Sequence, residues 1–367
     1  MLALSYVQGL GVALYPRIVE AAGSATAIFD NLSDLSLVLP GASPRLVRLL
    51  SDPVAFERAE KELEFAEKHG IDIISYNDDN YPYRLRECSD APIILYAKGN
   101  LNLNASRIVS VVGTRRTTEY GKAMCEQFVA DLAAMLPDTL VVSGLAYGID
   151  IRAHRSALTA GLPTVGVLAH GLDRIYPSAH RETAKSMLAN GGLLTEFMSG
   201  TEPFPSNFVR RNRIVAGLSD ATVVIESAAK GGSLITASIA NSYSRDCFAY
   251  PGRVIDSASS GCNKLIASNR AALITSAEDF VEAMNWADVK KNGGAKSLQM
   301  ELFANLSPEE ETVMQYLAKY PDGVQINRMV VDTDIPISNL MTILFELEMK
   351  ELVRPVAGGV YRAKNLS

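Results

Sequence analysis

RIVSVVGTRRTTEYG, from Arg107 to Gly121, changes character twice. An apolar, β-branched run ends at Gly113, a polar turn of threonines and arginines follows, and helical sequence starts near Glu119. A strand that passes through a glycine turn into a helix is the first half of a β-α-β unit. The same order repeats on either side. GIDIISY, TLVVSG, PTVGVLA, GGLLTEF, ATVVIES, CFAYPG and AALITS are further β-rich runs separated by helical stretches. This alternation predicts the α/β class: a Rossmann-like, doubly wound, mostly parallel sheet over residues 66–285. Ligands of such sheets sit outside the carboxyl ends of the strands.

The flanks read differently. Residues 1–65 carry apolar helical periods broken by Gly and Pro, which predicts a small helical domain of the SAM or helix-hairpin-helix kind, with Gly9-Leu10-Gly11 as a tight turn or a phosphate-facing hairpin. Residues 286–305, rich in Gly, Lys and Asn, read as a linker. In residues 306–367, three helical patterns and a terminal hairpin predict a winged helix, with Ser307 as the first N-cap. Its expected recognition helix, SNLMTILFELEMKELV, holds more acids than bases, so protein contact is as reasonable there as DNA contact.

The 367 residues have a formal net charge of −6 and are 48% hydrophobic, which suits a protein with a sizeable core and argues against bulk-charge coating of nucleic acid. A local basic cleft stays open, because charges act over short range in salt. Cys88, Cys125, Cys247 and Cys262 form no CxxC pair and have no histidine partner nearby, so reduced thiols are expected and no metal site. No run reaches the roughly 20 apolar residues of a membrane helix, and the first residues lack a basic leader; the expectation is a cytoplasmic protein.

The turns after the strands hold the chemistry. Gly113, Thr114, Arg115 and Arg116 offer amides, a hydroxyl and two guanidiniums to a phosphate. The spacing is neither that of a dinucleotide fingerprint nor that of a P-loop, so no cofactor is expected. A second turn places Ser143, Gly144 and Gly148 on the same rim, and a third supplies Lys230, Gly231, Gly232, Ser233 and Thr236. Asp150 and His154, four apart, could resemble a catalytic pair, but no nucleophile accompanies them. NFVRRNR should precede or open a helix, with Arg211 and Arg213 facing the rim, Asn212 holding a turn and Phe208 offering a ring to a base. Guanidiniums beside an aromatic suit single-stranded nucleic acid, whose phosphates need charge and whose bases need stacking. The plainer alternative puts Phe208 in the core and pairs the arginines with Asp220 or Glu226.

VVGTRRTTEYG, VVSGLAYGID, GVLAHGLDRIYP, NFVRRNRIVAGLS, KGGSLITASIA, AYPGRV and GCNKLIA, in this order over about 200 residues, resemble the DNA-processing protein A family (DprA, or Smf). The three-part layout is similar too. The resemblance implies a dimeric, non-enzymatic protein that binds single-stranded DNA in natural transformation and loads RecA recombinase onto it. It carries DNA binding to Arg115, Phe208 and Arg211 to Arg213. Val209, His180 and Asn269-Arg270 depart from the family pattern, touching loop shape rather than charge, and Arg270 adds a positive group. Two other readings remain: a phosphoribohydrolase-like nucleotide enzyme, whose PGGxGTxxE glutamate is absent from KGGSLITAS, and a nucleotide-sensing regulator.

Overall fold

The computed structural model describes residues 1–7, 14–286, 306–318, 320, 323–333, 335–350, 352–356 and 360–363. Gly9-Leu10-Gly11 and residues 287–305 of the expected linker lie outside them. The chain forms two compact units, Met1–Trp286 and Ala287–Ser367.

The first unit begins with helices α1 (Leu2–Tyr6), α2 (Leu14–Ala22), α3 (Ala25–Asp30), α4 (Pro44–Leu50) and α5 (Val54–His69). Leu4, Ile18, Ile28 and Leu50 are buried among them. α5 runs past the expected boundary at 65 and stops where Gly70 takes the left-handed conformation (φ +59°), which an L side chain adopts only at a cost. The same core continues into Ile93, Ile94 and Tyr96 of the sheet edge, so the helices and the sheet form one packed body. Glu62 of α5 locks this junction: it accepts the Ser199 N–H at 2.9 Å and the Ser199 hydroxyl at 2.6 Å.

Then follow β1 (Asp72–Ser75), α6 (Tyr83–Arg86), β2 (Ile94–Asn100), β3 (Ile108–Val112), α7 (Glu119–Met135), β4 (Leu140–Ser143), α8 (Ile149–Ala160), β5 (Thr164–Val167), α9 (Arg181–Met187), β6 (Gly191–Thr195), α10 (Pro205–Leu218), β7 (Ala221–Val224), α11 (Gly232–Ser242), β8 (Asp246–Ala249), α12 (Ser260–Ala267), β9 (Ala272–Leu273) and α13 (Ala277–Ala283). Their sheet order is β1-β2-β6-β5-β4-β3-β7-β8-β9. From β6 to β9 all neighbours are parallel; β2 pairs antiparallel with β6, and β1 antiparallel with β2. The fold is therefore α/β, Rossmann-like and mostly parallel. Strand β2 is an addition to the expected set, and it turns β1 into the end of an antiparallel edge.

Side chains alternate between the two faces of each strand. Ile108 and Val112 of β3 join Val142, Val165, Ile214 and Val215 in one core, while Val109 and Val111 join Phe128, Val141, Ile149 and Phe280 in the other. Helices cover both faces, which is why the central strands are buried along their whole length, with only small hydroxyl residues such as Ser110, Thr164 and Thr222 among the apolar ones.

The second unit contains α14 (Pro308–Ala318), β10 (Val324–Gln325), α15 (Ile326–Thr333), α16 (Ile337–Met349), β11 (Val353–Val356) and β12 (Val360–Ala363). The strands form one sheet in the order β10-β12-β11, the hairpin of a winged helix. Ser307 does cap α14: its hydroxyl accepts the Glu310 N–H at 3.2 Å, and Glu310 accepts the Ser307 N–H at 2.7 Å. All four cysteines are free and buried. Among the described residues no helix is long and apolar enough to cross a membrane.

Candidate functional site

From β3 the chain steps to β4 and onward in one direction across the sheet; from β7, the other neighbour of β3, it steps to β8 in the opposite direction. The turns after β3 and β7 therefore diverge, and a crevice opens between them, the usual ligand position of a doubly wound sheet. A cleft of about 630 Å³ lies there. Four cations line it, Arg115, Arg116, Arg211 and Lys230, against one carboxylate, Asp150.

The β3 turn is held open by Glu226, which follows β7. Its carboxylate accepts the Thr118 N–H at 2.9 Å, the Thr117 hydroxyl at 3.0 Å and the Thr118 hydroxyl at 2.5 Å. Its carbonyl accepts the Thr114 N–H at 2.7 Å. Glu226 is buried, so neighbouring threonines, not arginines, satisfy it. With the turn fixed from behind, Arg115 and Arg116 project into solvent. Gly148 closes the facing turn after β4: at φ +80° it packs on the backbone of Thr114 and Arg115, and a Cβ there would stand 2.8 Å from the Arg115 Cα. On the third side, Gly231 is the N-cap of α11 and supplies no side-chain cap, and the first residues of the helix, Gly232 and Ser233, line the cleft beside the exposed Lys230.

α10 forms the fourth wall. Pro205 occupies its first turn, where a missing N–H is harmless, so NFVRRNR lies wholly inside the helix. Phe208 is half-buried, with the Arg115 guanidinium 5.1 Å from its ring centroid and the Tyr176 ring 6.0 Å away. A cation over a half-exposed ring joins the two groups that an unpaired nucleotide needs. Tyr176, 47% exposed, is a lining residue that reading the sequence did not single out, although the quoted RIYP contains it.

Eleven of the thirteen expected residues line the cleft: Gly113, Thr114, Arg115, Arg116, Gly144, Phe208, Arg211, Asn212, Lys230, Gly232 and Ser233. Ser143 and Arg213 do not. Ser143 points into the sheet, where its hydroxyl donates to the Val111 carbonyl at 2.7 Å. Arg213 is buried on the far side of α10 and donates to the Asp90 carbonyl and to Glu196. The cause is helical phase: residues two apart lie roughly 200° apart around a helix, so Arg211 and Arg213 cannot share a face. Asn212 sits within the helix rather than at a turn and reaches the Gly232 carbonyl at 3.4 Å. The expected partners differ as well: Asp220 pairs with Arg84 at 2.6 Å, and Arg210 with Glu196 at 2.7 Å.

Arg211 is part of the floor. It is buried and donates to the carbonyls of Gly144 and Val167. Burial pulls its pKa down to about 10, with Asp150 opposing the shift, so it stays charged at neutral pH. Asp150 has its own pKa raised by burial, against the pull of Arg211, and accepts the Ala146 N–H at 3.4 Å. His154 turns away to Thr164, whose oxygen lies 2.7 Å from Nδ1. The Thr164 hydroxyl donates to the Val141 carbonyl at 2.9 Å, so Nδ1 carries the proton and Thr164 accepts it. Burial lowers the His154 pKa to about 3. Of the departures, Val209 lines the cleft, His180 is buried with Nδ1 2.8 Å from the Leu145 carbonyl, and Arg270 donates to Ser238 at 2.8 Å and is not a lining residue.

A family model described as DNA recombination-mediator protein A matches residues 72–285, and one described as the DprA winged helix domain matches residues 302–359. The DNA processing protein DprA of Streptococcus pneumoniae is 41% identical over 204 residues, 56% of this chain and 71% of that protein. The putative DNA processing protein DprA of Mycobacterium tuberculosis H37Rv is 40% identical over 241 residues; the match spans 62% of this chain but only 61% of that relative's length. The X-ray structure of the pneumococcal DprA superposes with a TM-score of 0.57 at 31% identity, covering 75% of this chain and 98% of that one. A structure of DNA processing protein A from Helicobacter pylori, described for its single-stranded DNA binding mode, superposes with a TM-score of 0.53 at 29% identity over 58% of this chain and 95% of that one.

Proposed function

This chain belongs to the DNA recombination-mediator protein A (DprA) family, and on that premise we propose that its cleft binds single-stranded DNA without cleaving it. One observation carries the reading: the Arg115 guanidinium over the half-exposed Phe208 ring, at the switch point of the sheet and among three further cations. Phosphates take the exposed Arg115, Arg116 and Lys230 and the amides of α11; an unpaired base takes the apolar wall of Phe208 and Tyr176. Single-stranded DNA is also the ligand described for the Helicobacter pylori relative. The separation of Asp150 from His154, each with its own partner, supports a binding site over a catalytic one.

In this reading the protein is a cytoplasmic homodimer that protects DNA entering in transformation and loads RecA recombinase onto it. The matched family's description as a recombination mediator supports that role. The test uses a labelled single-stranded oligonucleotide and nucleoside monophosphates. The oligonucleotide should be retained intact and the monophosphates returned unchanged. Hydrolysis of a monophosphate would favour the nucleotide enzyme, and failure to retain the oligonucleotide would reject the proposal.

A further inference from the structure

Phe204 stands at the N-cap of α10, a position that Ser, Thr, Asn or Asp usually fills because their side chains accept a first-turn N–H. A phenyl ring accepts no such bond, and no side chain caps this helix. The ring is also 58% exposed, which gives up the stabilisation that burying a large apolar group brings. Its backbone is held on both sides: Pro203 and Pro205 flank it, and both prolines line the cleft. Proline fixes its own φ and biases the residue before it toward extended backbone, so Phe204, at φ −71° and ψ 151°, is presented with little conformational freedom. A rigidly mounted ring at the rim of a cleft, serving neither cap nor core, offers a face on which a base can stack. We propose that Phe204 is a second base platform, receiving the nucleotide next to the one that takes Phe208 and Tyr176. The inference rests on the reading of the cleft as a single-strand site.

Helical phase sets the two phenylalanines in line. α10 turns Pro205, Phe208, Val209 and Asn212 to the cleft, the i, i+3, i+4 and i+7 positions of one stripe. Phe204, four residues before Phe208, continues that stripe past the first turn, offset by about 40° around the helix axis and about 6 Å along it. Neighbouring bases on one strand of a stacked duplex lie about 3.4 Å apart. The wider spacing therefore suits a strand whose bases have parted from one another, each lying on its own aromatic group. Charge assigns the contact to the base and not to a phosphate. Two residues before Phe204, Glu202 pairs with Arg174 at 3.5 Å, and Arg174 is also held by Asp173 at 2.9 Å. Two carboxylates against one guanidinium disfavour a phosphate there. Arg115, Arg116 and Lys230 hold the strand's backbone, and Phe204 adds a base contact to theirs.

Titration of the full-length chain with a thymidine oligonucleotide of about 12 nucleotides, and with an abasic strand of the same length, tests the platform. Phe204→Ala should weaken binding of the ordinary strand about fivefold or more and leave the abasic strand unaffected, because only the ordinary strand has bases to stack. The log–log salt slope should stay at the wild-type value, since no phosphate contact is lost. Phe204→Trp, which keeps an aromatic face, should bind the ordinary strand at least as well as the wild type. The exposed ring contributes no cap, so the melting temperature should hold; if Phe204→Ala unfolds, Phe204→Ser, which brings a capping hydroxyl, replaces it in the same titrations. If Phe204→Ala matches the wild type on the ordinary strand while Arg115→Ala weakens binding, the second platform is rejected and the cleft stands. Equal losses on both strands, or a changed salt slope, also reject stacking. A wild type that binds neither strand removes the reading of the cleft and this inference with it.

Discussion

Three arginines of the cleft region show how one residue type serves three ends. Arg115 projects into solvent over Phe208, Arg211 supports the cleft floor, and Arg213 pairs with Glu196 inside the protein. Arg115→Ala should weaken oligonucleotide binding and reduce the magnitude of the log–log salt slope by roughly 0.7, the share of one phosphate on a single strand. Titrations at several salt concentrations read both quantities, and an unchanged slope removes Arg115 from the DNA path. Arg213→Ala should instead cost about 2 kcal/mol of stability by urea unfolding, because the buried Glu196 carboxylate loses its buried partner and keeps only the exposed Arg210, while the folded protein keeps its affinity. His154 gives a pH signature. Its pKa is 6.5 in the unfolded chain and about 3 in the fold, so the unfolded state holds the extra proton between those values. Stability contributed by the neutral ring is complete above pH 6.5, is lost progressively as pH falls, and stops changing below about 3. Between pH 7 and 4.5 the wild type should lose about 2 kcal/mol more than His154→Gln. Equal losses in urea titrations would contradict the buried neutral histidine.

Among elements, the turn after β3 is the one anchored most heavily from behind, by the buried Glu226. Removing a carboxylate beside a DNA site would ordinarily strengthen binding through charge alone. Here Glu226→Ala leaves three donors of Thr117 and Thr118 without their acceptor, so the Arg115 turn loosens and affinity should fall, together with about 2–4 kcal/mol of stability. Isothermal titration of the variant, below its melting temperature, separates the outcomes by sign. The turn itself is legible in the residues, since GTRRTT between a β-branched run and a helical stretch admits few other readings. Glu226 is not legible as its partner, because the contact joins residues 108 positions apart. Strand β2 escapes for another reason: PIILYAKGN lies between two breaks without a following helix, so it lacks the alternation that marks the other strands, and only its antiparallel pairing with β1 and β6 defines it.

At the scale of the whole molecule, the cleft lies entirely within Met1–Trp286, the unit that also holds the helical residues packed on the sheet edge. A chain ending at Trp286 should keep single-stranded affinity within about threefold of the full length, a difference under 1 kcal/mol. Loss of most of the affinity from a folded truncation would move the site to the winged helix. The residues by themselves determined the doubly wound sheet, the flanking helical and winged-helix regions and the rim that carries the ligand chemistry. These follow from periodicity and turn composition, which act over a few neighbours. Only the tertiary structure decided which rim residues face the cleft. Arg211 and Arg213 are equivalent as letters, yet the phase of α10 and partners as distant as Asp90, 123 positions away, bury one under the cleft and the other behind it. A guanidinium takes its role from whichever carbonyls and carboxylates the fold brings within hydrogen-bond reach, and that proximity is a property of packing across the whole chain.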